Sequence, residues 1–259
     1  MSVKEYLSLP IGGKTYRCEI ESIPLDKAKV TNINPRVPDK TISDKDQEKL
    51  EEEIKSQQGT RYNLLRNEIV FDGDLREPPF VQKIAGGTYR VREGATRITA
   101  LKEIVKDSKA KEKPAYLANH PEDLGPLNIE KLENPTVYVY PNDMPEDIII
   151  AHLGKLHINT KGPWEAYQKA GEVRTLKEDY GWNHERIANY IGISKGYVPK
   201  YIWAWKALQV YHKSHPEISD WTEKFSHFEK LYSEKLRNWI GADFPEWKEM
   251  TVNPDSFKP

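Results

Sequence analysis

The residues best suited to chemistry lie in Tyr89-Arg90-Val91-Arg92-Glu93-Gly94-Ala95-Thr96-Arg97-Ile98-Thr99-Ala100-Leu101, a strand-like run that breaks at an acid-glycine pair and restarts as a helix. A glycine at such a junction allows positive φ and a close backbone approach, and the following helix aims unpaired N–H groups at whatever sits there. Arg97 falls in the first helical turn, where its guanidinium fork suits a phosphate or carboxylate. Glu93 is placed to hold a hydroxyl, a metal or a donor, and is the candidate catalytic residue as general base. The same pattern also fits a plain strand-to-helix turn with a surface arginine.

A second stretch, His184-Glu185-Arg186-Ile187-Ala188-Asn189-Tyr190-Ile191-Gly192-Ile193-Ser194-Lys195-Gly196-Tyr197-Val198, has helix-turn-helix spacing. Ala188 is small enough for a close helix crossing, Gly192 takes the turn, Ser194 caps the second helix, and Ile187, Ile191, Val198 and Ile202 form the core. Ser194, Lys195, Gly196, Tyr197 and Lys200 then fall on the early turns that enter a major groove, making them the candidate DNA contacts. Arg186, Lys195, Lys200 and Lys206 against Glu185 leave a local surplus of three positive charges. Pro199 within the second helix predicts either a kink or a regular part that begins later than Ser194. A trihelical element that binds only protein is the competing reading.

These residues need elements to hold them. Lys14–Ile20 alternates as a strand, Ile23-Pro24-Leu25 continues it as an extended edge, and Ser43–Ser56 reads as a solvated helix opening at Ser43 and ending near Gly59. Residues 60–77 predict a short strand at Glu68-Ile69-Val70-Phe71 closed by an Asp72-Gly73 turn. Proline and glycine make 107–135 mostly loop, Thr136–Tyr140 is strand-like, and a helix starts at Glu146. Helical spacing runs from Trp164 to Tyr180 and stops at Gly181. Phe225, Phe228, Trp221, Trp239 and Trp247 supply packing surface near the C-terminus.

In order and spacing the first half resembles the N-terminal domain of the ParB/sulfiredoxin superfamily, with Asn34-Pro35-Arg36 for its asparagine-proline box and Gly94-Ala95-Thr96-Arg97 for its Gly-x-x-Arg box. The helix-turn-helix extends the likeness. The resemblance implies an α+β fold, a small mixed sheet with helices followed by an all-helical half. Its expected segments are an N-terminal domain over 1–145, a helix-turn-helix domain over 146–210 and a helical extension over 211–259. It also implies a nucleotide or anion site at Asn34, Pro35, Arg36, Glu93, Gly94, Thr96 and Arg97. A nucleoside triphosphate with Mg is the candidate cofactor; double-stranded DNA and a second copy of the chain, as a homodimer, are the candidate partners.

The superfamily holds DNA-clamping partition proteins, sulfiredoxins and small-molecule kinases, so its fold leaves the chemistry open. Ala95 stands where a sulfiredoxin needs its cysteine, and the single cysteine is Cys18, which removes that chemistry. The acid before the glycine is closer to the kinases. Two readings follow: a ParB-like DNA-binding protein with a nucleotide-responsive N-terminal domain, or a phosphotransferase or nuclease using Glu93.

Composition narrows the rest. Among 259 residues, 39 Lys and Arg face 40 Asp and Glu, so any nucleic-acid surface must be local. One cysteine excludes an internal disulfide, and with no long apolar run the chain reads as cytoplasmic, with no membrane partner. A mean hydropathy of −0.76 is offset by seven tryptophans and fourteen tyrosines, which favours a folded protein. His212, His215 and His227 lack a second ligand pair at metal spacing, so no metal site is expected.

Overall fold

The structure, a computed structural model, describes residues 4–11, 13–34, 37, 40–159, 166–218 and 221–232. The chain forms two compact units, 1–144 and 145–259. The first is α+β, and the second is helical over its described residues.

The first unit is built on a mixed six-stranded sheet. Its strands are β1 (Tyr6–Ile11), β2 (Lys14–Ser22), β3 (Ala28–Lys29), β4 (Phe80–Ile84), β5 (Thr88–Glu93) and β6 (Thr136–Tyr140), in the order β1-β2-β6-β4-β5-β3. β1 and β2 form a hairpin, with Leu7 opposite Cys18, and β2 runs antiparallel to β6. β4 pairs parallel with β6 and antiparallel with β5, which pairs parallel with β3. β1 and β4 were not anticipated, and Leu25–Lys27 is a 3-10 turn rather than an extended edge.

Four helices accompany the sheet: α1 (Gln47–Gln58), α2 (Thr60–Asp72), α3 (Ala95–Ser108) and α4 (Ile129–Glu133). α3 is central, with Ala95, Ile98, Leu101 and Ile104 recurring every three residues along its buried face. The helix expected from Ser43 starts later. Asp46 is its cap, accepting from the Lys49 N–H, so Ser43 stays in the loop before it.

The strand expected at Glu68–Phe71 is instead the last part of α2. Tyr62, Ile69 and Val70 are buried at helical spacing, and Gly73 is not a hairpin turn but the left-handed cap (φ 65°) whose N–H bonds to the Ile69 carbonyl. An Asp-Gly pair satisfies both motifs because each needs positive φ. α2 is fastened to α3 by Glu103, which accepts from Tyr62 Oη at 3.0 Å and bonds Arg66 and Lys55. Arg66 in turn lies 3.8 Å from the centre of the Tyr116 ring. Cys18 is wholly buried in β2, and burial pushes its thiol up to about 12.

The second unit holds α5 (Glu146–Asn159), α6 (Ala166–Glu178), α7 (His184–Ile191), α8 (Tyr197–Ser214) and α9 (Phe225–Leu231). One core joins Ile150, Val173, Leu176, Trp182, Ile187 and Ile202; the other joins α6, α8 and α9 through Trp203, Ala207, Leu208, Phe225 and Phe228. Phe225 and Phe228 therefore pack as expected, while Trp239 and Trp247 lie outside the described residues. Residues 211–214 belong to α8. Among the described residues no helix is long and apolar enough to cross a membrane.

Candidate functional site

In the first unit the candidate residues gather at the end of β5. Gly94 turns the chain with φ 85° and ψ 20° and caps α3. A Cβ there would sit 2.8 Å from Pro79 Cβ and 3.1 Å from Arg97 Nε, so the position requires glycine for space as well as for conformation. Ala95 and Thr96 follow it into the core.

The Arg97 fork is already engaged. One arm is ion-paired to Glu93, one turn back across Gly94; the other donates to the Glu77 backbone carbonyl at 2.5 Å, with the Glu77 carboxylate 3.8 Å away. Both paired side chains are largely enclosed, Arg97 at 15% exposure and Glu93 at 12%. An anion that takes the Arg97 fork in bidentate fashion competes with Glu93. Glu77 and Pro79, which close this site, were missed from sequence because they precede the motif by more than a dozen residues with no spacing signal.

The parallel pairing of Ala28 with Tyr89 and Lys29 with Arg90 sends the chain after β3 out at the same end of the sheet as the Gly94 turn. Asn34 lies on that segment, buried, its carbonyl accepting from Lys40 Nζ at 2.9 Å and from the Val37 N–H. Pro35 and Arg36 lie outside the described residues.

In the second unit, Asn183 opens α7 by accepting from the Arg186 N–H at 2.7 Å, and Gly192 ends it in the left-handed region (φ 82°). Ile187, Ile191, Val198 and Ile202 are all buried, as expected. Ser194 does not cap α8: its carbonyl accepts from the Tyr197 N–H, and the helix starts at Tyr197 with no side-chain cap. Pro199 is thus the third residue of the helix, where its missing N–H has no intrahelical partner to lose, so no kink results.

Ser194, Lys195, Gly196 and Tyr197 form one exposed stretch, with Tyr197 44% exposed. The surplus of positive charge expected here is largely cancelled by acids from elements distant in sequence. Lys200 meets Glu229 on α9 at 2.9 Å, and Lys206 meets Glu178 on α6 at 2.5 Å. Arg186 lies 3.6 Å over the Trp182 ring and 3.7 Å from Asp147, whose carboxylate also accepts from the Trp182 indole N–H at 2.9 Å. Lys195, 3.8 Å from Glu185, remains widely exposed. The His184 pKa is lowered first by burial and then by Lys177 and Lys195, two cations near the start of α7. Sequence spacing gave no hint of Lys177 because it sits on the preceding helix.

Among the described residues, no group of three or more His, Cys, Asp or Glu side chains is arranged to hold a metal ion. No family model matches the chain, and no curated protein matches it. Among solved structures it is similar to the C-terminally truncated chromosome-partitioning protein ParB from Caulobacter crescentus complexed to the centromeric parS site, at 14% identity over 82% of this chain and 83% of that one, TM-score 0.39. It is also similar to the same protein complexed with CTP-γ-S, at 15% identity over 81% and 98%, TM-score 0.29. The α+β architecture of the first unit is set by the strand register and helix packing described above.

Proposed function

We propose that this chain is a ParB-like DNA-binding protein whose second unit docks on duplex DNA through a helix-turn-helix formed by α7 and α8. The observation that carries the reading is the exposed Ser194-Lys195-Gly196-Tyr197 stretch at the N-terminal end of α8, held by a buried Ile187, Ile191, Val198 and Ile202 core. That arrangement leaves the start of α8 open to a major groove while its far side packs on α6 and α9. Lys195 and Lys177 supply phosphate contacts, and Tyr197 and Ser194 reach base edges or sugar-phosphate oxygens.

The first unit is the ligand-responsive part of this proposal. A nucleotide phosphate binds the Gly94 turn by taking the Arg97 fork from Glu93, so occupancy and the Glu93–Arg97 pair are mutually exclusive. Fluorescence anisotropy with labelled duplex DNA over a salt series tests the DNA role. Binding should fall steeply with salt, and the Lys195→Ala/Lys177→Ala variant should lower the slope by about two. Affinity that is insensitive to salt, or unchanged in the variant, would overturn it.

A further inference from the structure

Apart from the Gly94 turn, the first unit carries an open cleft of about 610 Å³ with an unbalanced charge. Lys102 and Lys106 enter it from successive turns of α3, Lys109 from the cap just past its end, and Lys29 from β3. Pro24 and Val105 add apolar surface. Two acids, Asp26 and Glu133, also line it, against the four lysines. Glu133 is taken by Lys109, Asp26 lies 3.9 Å from Lys27, and Lys102 is held at 2.7 Å by Glu51. Lys29 and Lys106 meet no carboxylate within 4.0 Å among the described residues.

A lysine in the last turn of a helix is expected from the helix dipole, which accounts for Lys106. It does not account for Lys29, which comes from a different element to the same cleft. Like charges brought together are relieved by an anion between them. The volume falls in the range of small-molecule sites, about 300–1,000 Å³. An extended polyanion would run against the carboxylates of Asp26 and Glu133, whereas a compact ligand avoids them.

We propose that this cleft binds a small organic phosphate, with Lys29 and Lys106 on the phosphate and Pro24 and Val105 against its apolar body. The site is separate from the Gly94 turn and needs no part of the DNA-binding reading.

Calorimetric titration of the full chain with phenyl phosphate, and in parallel with inorganic phosphate, tests this. Phenyl phosphate should bind saturably and several-fold more tightly than inorganic phosphate, because only the former uses the apolar wall. Lys29→Ala/Lys106→Ala should weaken it by about tenfold or more, and Lys29→Arg/Lys106→Arg should restore it, since the cleft asks for charge. If the double alanine variant melts early, Lys106→Gln alone, at an exposed position, gives the same reading. Lys27→Ala should leave the affinity unchanged. Absence of saturable binding, equal affinity for the two phosphates, or full affinity in the double variant would each overturn the proposal. So would a response to duplex DNA alone that the double variant abolishes.

Discussion

Lys200 on α8 and Glu229 on α9 are bonded at 2.9 Å, each about a quarter exposed, so a cation one turn along α8 from the proposed DNA face is held by a neighbouring helix. Lys200 also lies 5.1 Å from the centre of the Tyr197 ring, which ties the same ammonium to the exposed stretch. Glu229→Gln should release Lys200 for a phosphate, tightening DNA binding and steepening the salt slope by about one. Lys200→Ala should weaken binding less than Lys195→Ala does. Anisotropy titrations of the three variants at two salt concentrations check the order.

A second expectation concerns acid stability. Burial raises the Glu103 carboxyl, but the bonds from Lys55 and Arg66 outweigh it and hold the group below its usual value. A carboxyl depressed on folding contributes stability that is fully present above its unfolded pKa, about 4.3, and is lost as pH falls through the lower folded value. Glu103→Gln should lower stability at neutral pH by about 1–3 kcal/mol, because Lys55 and Arg66 lose their acid. It should also flatten the acid limb below about pH 5. Urea unfolding followed from pH 7 down to 3 reads both.

Gly94→Ala should be worse than an ordinary loop glycine substitution. Gly86 has a similar φ of 78° with nothing within 4 Å of an added Cβ, so Gly86→Ala meets only conformational strain, about 1–2 kcal/mol. At Gly94 the added methyl also strikes Pro79, and the two variants should differ by about 1–3 kcal/mol. Equal unfolding midpoints would mean that the Pro79 segment yields freely.

The Glu93–Arg97 pair makes a test of the ligand-responsive reading. Arg97→Ala should abolish nucleoside triphosphate binding, and Arg97→Lys should largely fail, since a point charge cannot reproduce the fork. Glu93→Gln should tighten binding by about two- to fivefold, the scale of one ion pair removed as a competitor. In an enzyme the same variant would keep the ligand and lose turnover. Calorimetry together with a phosphate-release assay separates the two outcomes.

The parts of the fold legible in the sequence were those set by short-range rules. The Glu93-Gly94 break, the buried Ile187–Ile202 set and the strand at Thr136–Tyr140 all follow from period and glycine placement within a few residues. Pro199 was legible as a conflict, which a helix start at Tyr197 resolves. What was not legible depended on long-range partners. The engagement of Arg97 by Glu77, and of Lys200 by Glu229, involves pairs 20 and 29 residues apart, and no local pattern predicts which lysine will find an acid. The α2 error had a different origin: a left-handed glycine serves a helix end and a hairpin equally well, and only the burial of Tyr62 with Ile69 decides.

Cys18, the chain's only thiol, sits at zero exposure on β2 between β1 and β6, with its pKa pushed up to about 12. Alkylating reagents require an accessible thiolate. In the native state this sulfur is therefore silent, and it reacts only during excursions that peel the sheet apart. Its labelling rate is a clock for those openings of the first unit's sheet.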